Sequence, residues 1–320
     1  MKHVDFFYDF ACPYAYLAHE RVDAAAARHG ATVTWRPFLL GGVFRAIGTP
    51  DMPAAHMPEA KARMNMFDMF RWAAFHEMPL RMPETHPNRT VLALRATLAS
   101  SDLVRASKAL FAAYWVDGRD VSKPEVVRAA LDRAGLDGAA LVARAEEPAV
   151  KDALRRATDE AIAAGVFGAP AFVVTIENEP GRADAVELFW GQDRLTLVED
   201  MLAGGPTASA ASTTAATTPA TTTATAPSRT LELHFDFSSP FAYLAASRAP
   251  EVAARSGAAL FYKPFLLGGL FQAIGTPNVP LFEMPEAKRR HALAERCRAV
   301  AESLSPAGTE ARSRRNLSRR

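Results

Sequence analysis

The chain contains a partial copy of itself. Asp9-Phe10-Ala11-Cys12-Pro13-Tyr14-Ala15-Tyr16-Leu17-Ala18 returns as Asp236-Phe237-Ser238-Ser239-Pro240-Phe241-Ala242-Tyr243-Leu244-Ala245, all at one offset of 227 residues. Pro37 to Gly42 returns as Pro264 to Gly269, and Met57 to Lys61 as Met284 to Lys288, at the same offset. Residues 5–63 and 232–290 share 32 identities in 59, whereas 64–93 and 291–320 share 3 in 30. Gradual divergence does not make so sharp an edge. Similarity stops near Arg290, so a frameshift or truncation near 291–296 is expected, followed by an arbitrary Arg/Ser-rich tail. Residues 206–228 hold only Ala, Thr, Ser and Pro, which cannot bury enough apolar area to offset the entropy of ordering. The expected organisation is a complete domain over 1–205, a flexible linker over 206–228, a truncated copy over 229–300 and a disordered basic tail over 301–320. Two strands leave an edge unpaired and an apolar face uncovered. The second copy is thus expected to be poorly stable and not catalytic by itself.

In the complete copy, His3 to Tyr8 is a run of β-formers and aromatics. Pro13 opens a helix that runs to about His29, because proline suits a first turn where its missing N–H is no loss. Gly30 stops it, and Ala31 to Trp35 alternates as a second strand. Such a crossover implies parallel strands. Helical patterns follow around Met64 to Trp72, then over Asn88–Leu98, Leu103–Trp115, Pro124–Ala134 and Val150–Ala164. Met64, Phe67 and Phe70, at helical spacing, are expected in the core. Ala171–Ile176 and Val186–Trp190 read as two strands joined by a polar turn, and Asp193–Leu202 as a closing helix. The order β-α-β, helical block, β-β-α is an α/β sandwich of thioredoxin type carrying an all-helical insertion.

Lys plus Arg number 37 against 35 Asp plus Glu, a balance that gives no electrostatic case for nucleic acid or an anionic membrane. No apolar run reaches the length of a membrane span. Asp5 and Asp9 interrupt the opening apolar run, so no secretory segment is expected. Cys12 and Cys297 lie too far apart for a disulfide framework or a zinc spacing, and the eight His show no metal pattern. A soluble cytoplasmic protein with reduced thiols is expected.

Cys12 stands directly before Pro13, at the amino end of the first helix. There, free N–H groups and the helix dipole favour an anion, so its thiol is expected to be acidified and reactive. Ala15 occupies the place of a second cysteine, which disfavours a dithiol oxidase. A monothiol route with an external resolving thiol stays open. Asn88 precedes a helix and can either cap it or contact an aromatic substrate. Arg36 and Lys61 can pair with a substrate carboxylate or simply be solvated. Asp193 suits an N-cap.

Four segments together resemble the 2-hydroxychromene-2-carboxylate isomerases, relatives of the kappa-class glutathione transferases and of DsbA-type oxidoreductases. They are Tyr8 to Leu17, Pro37 to Phe44, Gly165 to Pro170 and Phe189 to Leu195. The resemblance covers 1–205 and, truncated, 229–290. It implies glutathione as cofactor and a small aromatic carboxylate as substrate, in aromatic-compound catabolism. The implied reaction is cis-trans isomerisation by thiolate addition, bond rotation and elimination. In that family a serine usually stands where this chain has Cys12; Ser239 of the second copy keeps it. The resemblance further implies a cis Pro170, glutathione contacts from the Ala169 backbone, a γ-glutamyl site at Gln192 and Asp193, and a substrate-side loop at Thr49. A homodimer is compatible with it. The alternative is a glutathione-linked thiol-disulfide oxidoreductase or transferase that uses Cys12.

Overall fold

The computed structural model describes residues 1–50, 53–178, 184–204, 229–276 and 280–303. The expected linker lies outside the described residues, as does the tail from 304 onward and the middle of the polar turn before residue 184. The chain divides into two compact units, Met1–Gly205 and Pro206–Arg320.

In the first unit β1 (Lys2–Tyr8) is central. It pairs in parallel with β2 (Thr32–Pro37) and antiparallel with β3 (Ala171–Ile176), which pairs antiparallel with β4 (Ala185–Trp190). The sheet order is β2-β1-β3-β4. Val4, Phe6, Phe7 and Tyr8 are all buried, because a central strand covered on both faces can be apolar throughout. Phe6 stacks on Phe172 at 5.5 Å and meets Trp35 edge-on at 5.2 Å, tying β1 to both neighbours.

The expected first helix is two helices, α1 (Pro13–His19) and α2 (Val22–Ala27). His19 supplies the physical reason. Its Nδ1 bonds the Tyr16 carbonyl, the acceptor that a continuing helix needs for the Glu20 amide. In the second copy Ala246 replaces His19, and the matching helix runs unbroken over Pro240–Ser256.

Between β2 and β3 lie α3 (Leu40–Ala46), a 3₁₀ turn (Pro53–His56), α4 (Glu59–Phe75), α5 (Val91–Ala99), α6 (Leu103–Trp115), α7 (Pro124–Arg133), α8 (Gly138–Arg144) and α9 (Pro148–Ala163). This helical block docks on the end of β1. Tyr8 Oη and Ser107 Oγ lie 2.5 Å apart, and Trp115 Nε1 donates to Phe10 O at 2.8 Å. The expectation that Met64, Phe67 and Phe70 are core residues is corrected: they are 53%, 55% and 41% exposed. Met69 and Ala73 are the buried residues of α4 and Trp72 packs half-buried against the core, whereas Met64, Met66, Phe67, Phe70 and Phe75 face outward. A 3₁₀ turn (Gln192–Arg194) and α10 (Leu195–Leu202) close the unit.

The second unit holds β5 (Arg229–Phe235), α11 (Pro240–Ser256), β6 (Ala258–Pro264), α12 (Leu267–Ala273) and α13 (Glu286–Ser303). β5 and β6 pair in parallel as a two-stranded sheet, Arg229 opposite Ala258. His3 opposite Thr32 in the first unit is the same sequence separation. The surroundings differ, however. Phe237 is 94% exposed, whereas its counterpart Phe10 is fully buried. Among the described residues no helix is long and apolar enough to cross a membrane.

Candidate active site

Cys12 is the N-cap of α1, with extended φ −94° and ψ 112°. Its loop is held from three sides by one carboxylate and one indole. Asp9 Oδ1 accepts from Ala11 N at 3.0 Å and from Thr90 Oγ1 at 2.7 Å, and Oδ2 accepts from Leu40 N at 2.9 Å. Trp115 supplies the Phe10 contact. Sequence reasoning did not single out Asp9, Leu40 or Thr90. A usable signal existed for Asp9, which recurs as Asp236 while Tyr8, Ala11 and Cys12 around it change.

The Cys12 Sγ donates to Ala169 O at 3.0 Å. The Ala169–Pro170 peptide is cis. Gly168 cannot be larger here, because a Cβ on it would stand 2.5 Å from Trp190 Nε1. β3 begins at Ala171, beside β1, which is why the 168–170 segment meets the Cys12 loop.

The expected acidification of Cys12 is overturned. Burial, the largest effect, pushes the thiol up to about 12; the main-chain amides of Ala15 and Tyr14 pull it back only in part, and Asp9 adds to the rise. At neutral pH the group is a neutral S–H donor. Iodoacetamide should therefore modify Cys12 in the native chain about 1,000-fold more slowly at pH 8 than an exposed thiol. The mass of the peptide carrying Cys12 measures this, and a rate within tenfold of a free thiol contradicts it. The linked stability has a definite sign. An unfolded thiol ionises near 9.0, so the contribution is whole below that pH and is lost as pH rises toward 12.

Gln192 is buried and accepts from Arg21 Nη1 at 2.7 Å. Asp193 is exposed and paired with Arg194. It is not the N-cap: Arg194 holds that place for α10, and Gly191 for the preceding 3₁₀ turn. Gly191, at φ 114°, must be glycine, since a Cβ would stand 2.6 Å from Asp193 Oδ1. The 3₁₀ turn packs against α1, which brings residues 192–193 to the same end of the fold as Cys12.

Thr49 donates its amide to Phe44 O at 2.8 Å and, among the described residues, makes no hydrogen bond to the Cys12 loop. Asn88 does not cap α5, whose N-cap is Thr90. Arg36 is committed to Asp5 at 2.7 Å and Glu160 at 3.6 Å, so its pairing with a substrate carboxylate is not supported. Lys61 is exposed in the first turn of α4.

The model of the DSBA-like thioredoxin domain family matches residues 3–203. A 2-hydroxychromene-2-carboxylate isomerase of Sphingobium xenophagum is 30% identical over 205 residues, spanning 63% of this chain and 98% of that protein. Glutathione S-transferase kappa 2 of Caenorhabditis elegans is 30% identical over 216 residues, spanning 63% and 92%. The solved structure of a 2-hydroxychromene-2-carboxylate isomerase is similar with a TM-score of 0.51 and 25% identity, over 62% of this chain and 94% of that one. With a matching family model across the whole first unit, a mixed four-stranded sheet and a cysteine facing a cis-proline segment, this chain belongs to the DsbA-like thioredoxin family.

Proposed function

We propose that the first unit is a glutathione-dependent isomerase of the 2-hydroxychromene-2-carboxylate type, acting in aromatic-compound catabolism in the cytoplasm. The observation that carries this reading is the neutral Cys12 thiol, which donates its proton to Ala169 O at 3.0 Å. A protonated donor suits a site where the attacking sulfur comes from a bound tripeptide. It does not suit one where the protein's own sulfur attacks.

The residues present fit such a tripeptide. Ala169 offers a main-chain carbonyl beside Cys12, and its N–H makes no main-chain hydrogen bond among the described residues. An extended peptide can pair with both groups. The exposed carboxylate of Asp193 suits an ammonium, and the Gln192 amide is fixed by Arg21. When bound, glutathione supplies the sulfur whose addition turns a conjugated double bond into a single bond, so that rotation is free before elimination.

The chain's own part is electrostatic. Cys12 S–H turns from Ala169 O toward the incoming sulfur and stabilises its negative charge, aided by the amides that open α1. Ala169 and Pro170 orient the peptide, and Asp9 keeps the loop in place. Thr49 stands on the substrate side of this reading. The alternative, disulfide exchange at Cys12, requires a thiolate that burial disfavours.

The test is isomerisation of 2-hydroxychromene-2-carboxylate by the full chain with and without glutathione. At least a hundredfold dependence on glutathione is expected. An equal rate without it overturns the reading. Disulfide reduction alone, lost in Cys12→Ser, would establish the alternative.

A further inference from the structure

The geometry points to the free edge of β5 as an interface between two copies of this chain, paired antiparallel about Leu233 so that Glu232 of each copy stands opposite His234 of the other. No part of it rests on the function proposed above.

The complete unit shows what the second one lacks. There β1 lies between β2 and β3, and β2 is at the edge of the sheet. By the repeat, β5 matches β1 and β6 matches β2. β6 therefore holds an edge that the complete fold leaves open, whereas β5 holds one that the complete fold covers. Among the described residues, β5 pairs with β6 alone. Its apolar row, Leu231, Leu233 and Phe235, is half-buried, while the matching Val4, Phe6 and Tyr8 are fully buried. No proline interrupts β5 and its register with β6 is continuous, so neither proline nor bulge blunts the edge.

The phase of the strand fixes which groups face outward. Phe265 N donates to Phe235 O at 3.0 Å, so the main chain of Phe235 faces β6. Alternation turns Leu231 and Leu233 the same way and leaves the N–H and C=O of Thr230, Glu232 and His234 on the open edge. These residues match His3, Asp5 and Phe7. In the complete unit that phase serves β3, as Met1 O shows by accepting from Glu177 N at 2.9 Å.

A second β5 fits this edge in one register. The half-buried row faces α11, which packs on β5. Keeping both rows on that side requires residues of like phase to oppose each other. Centred on Glu232, the pairing would set two carboxylates face to face, which destabilises. Centred on Leu231, it would carry Phe235 past the start of the partner strand. Centred on Leu233, it sets Leu233 against itself, Leu231 against Phe235, and Glu232 against His234 twice. Glu232 and His234 then exchange main-chain hydrogen bonds as well, since both face the edge. The two-fold pairing uses up both free edges, so assembly closes at the dimer.

The experiment uses the full chain. Sedimentation should show a monomer–dimer equilibrium with a dissociation constant on the order of 10 µM, because one strand pair lies at the small end of interfaces. Hydrogen exchange at the Glu232 and His234 amides should slow at least tenfold from dilute to concentrated chain, while the Leu231 and Leu233 amides, which face β6, should not change. His234→Pro removes an edge donor without touching the ladder to β6. It should weaken the dimer at least a hundredfold and leave the Leu231 and Leu233 amides protected. If His234→Pro does not fold, Glu232→His is read instead. That variant sets His against His and should weaken the dimer about tenfold, and adding His234→Glu should restore it. A chain still monomeric at about 100 µM overturns the inference. So does exchange at Glu232 and His234 that ignores concentration, a dimer as tight in the variants as in wild type, or growth past the dimer.

Discussion

Replacing Cys12 by serine should raise glutathione-dependent isomerisation about tenfold, and replacing it by alanine should lower it about a hundredfold. The two outcomes share one cause. The proposed task of residue 12 is to donate a proton to an anionic sulfur, and a hydroxyl is a much better donor than a thiol. Alanine donates nothing, and loss of one donor at a developing charge typically costs two to three orders of magnitude. The protein contains evidence that serine fits. Ser239, the counterpart in the second copy, has φ −95° and ψ 111°, against −94° and 112° at Cys12. Its Oγ accepts from Ala242 N at 3.2 Å. A serine at position 12 can accept from Ala15 in the same way, leaving its own proton free for the ligand. Steady-state kcat/KM at saturating glutathione measures the effect. Activity abolished by serine as completely as by alanine would mean that the protein's own sulfur reacts.

The sequence carried the architecture because its signals were local and repeated. Pro13 marked the helix start, and the two β-runs at 171–176 and 186–190 flanked a polar turn; the strands lie within a residue of those bounds. What was not legible depended on contacts distant in sequence. The α1–α2 break comes from a histidine that takes a main-chain acceptor, which no propensity reports. Met64, Phe67 and Phe70 have core spacing, yet which flank of α4 meets the rest of the unit is set by packing against α1. Cys12 shows the same limit in the candidate site. Its place before Pro13 was readable, but the sign of its pKa shift was not. The helix end favours ionisation, burial opposes it, and burial is the larger effect here. Asp193 looked like a cap from composition alone, while the 3₁₀ turn at Gly191 gave that place to other residues.

Asp9→Ala should lower the thermal midpoint of the first unit by about 10 °C and kcat/KM about tenfold, through the loop rather than through the chemistry. The side chain is buried, and three donors end on it. Burial pushes its carboxyl above the usual carboxylate range, and those donors pull it back. Alanine relieves the first and forfeits the second. Each buried donor left unpaired costs about 1–3 kcal/mol, so three of them outweigh the relief, for a net loss of about 3 kcal/mol. In a domain of this size each kcal/mol is worth about 2–4 °C. Ala11 loses its anchor next to Cys12, and a loosened donor loses alignment, which lowers the rate. The second copy provides an internal control. Asp236 makes the same bond to Leu267 N, at 2.7 Å, but its surroundings are open, and its carboxyl lies below the usual range because of its hydrogen bonds. The repeat ends before any counterpart of Thr90 would be reached. Amide exchange at Leu40 should accelerate about a hundredfold in Asp9→Ala, whereas exchange at Leu267 in Asp236→Ala should change less than tenfold. Equal acceleration at both would mean that the hydrogen bond alone, and not its burial under the helical block, holds the Cys12 loop.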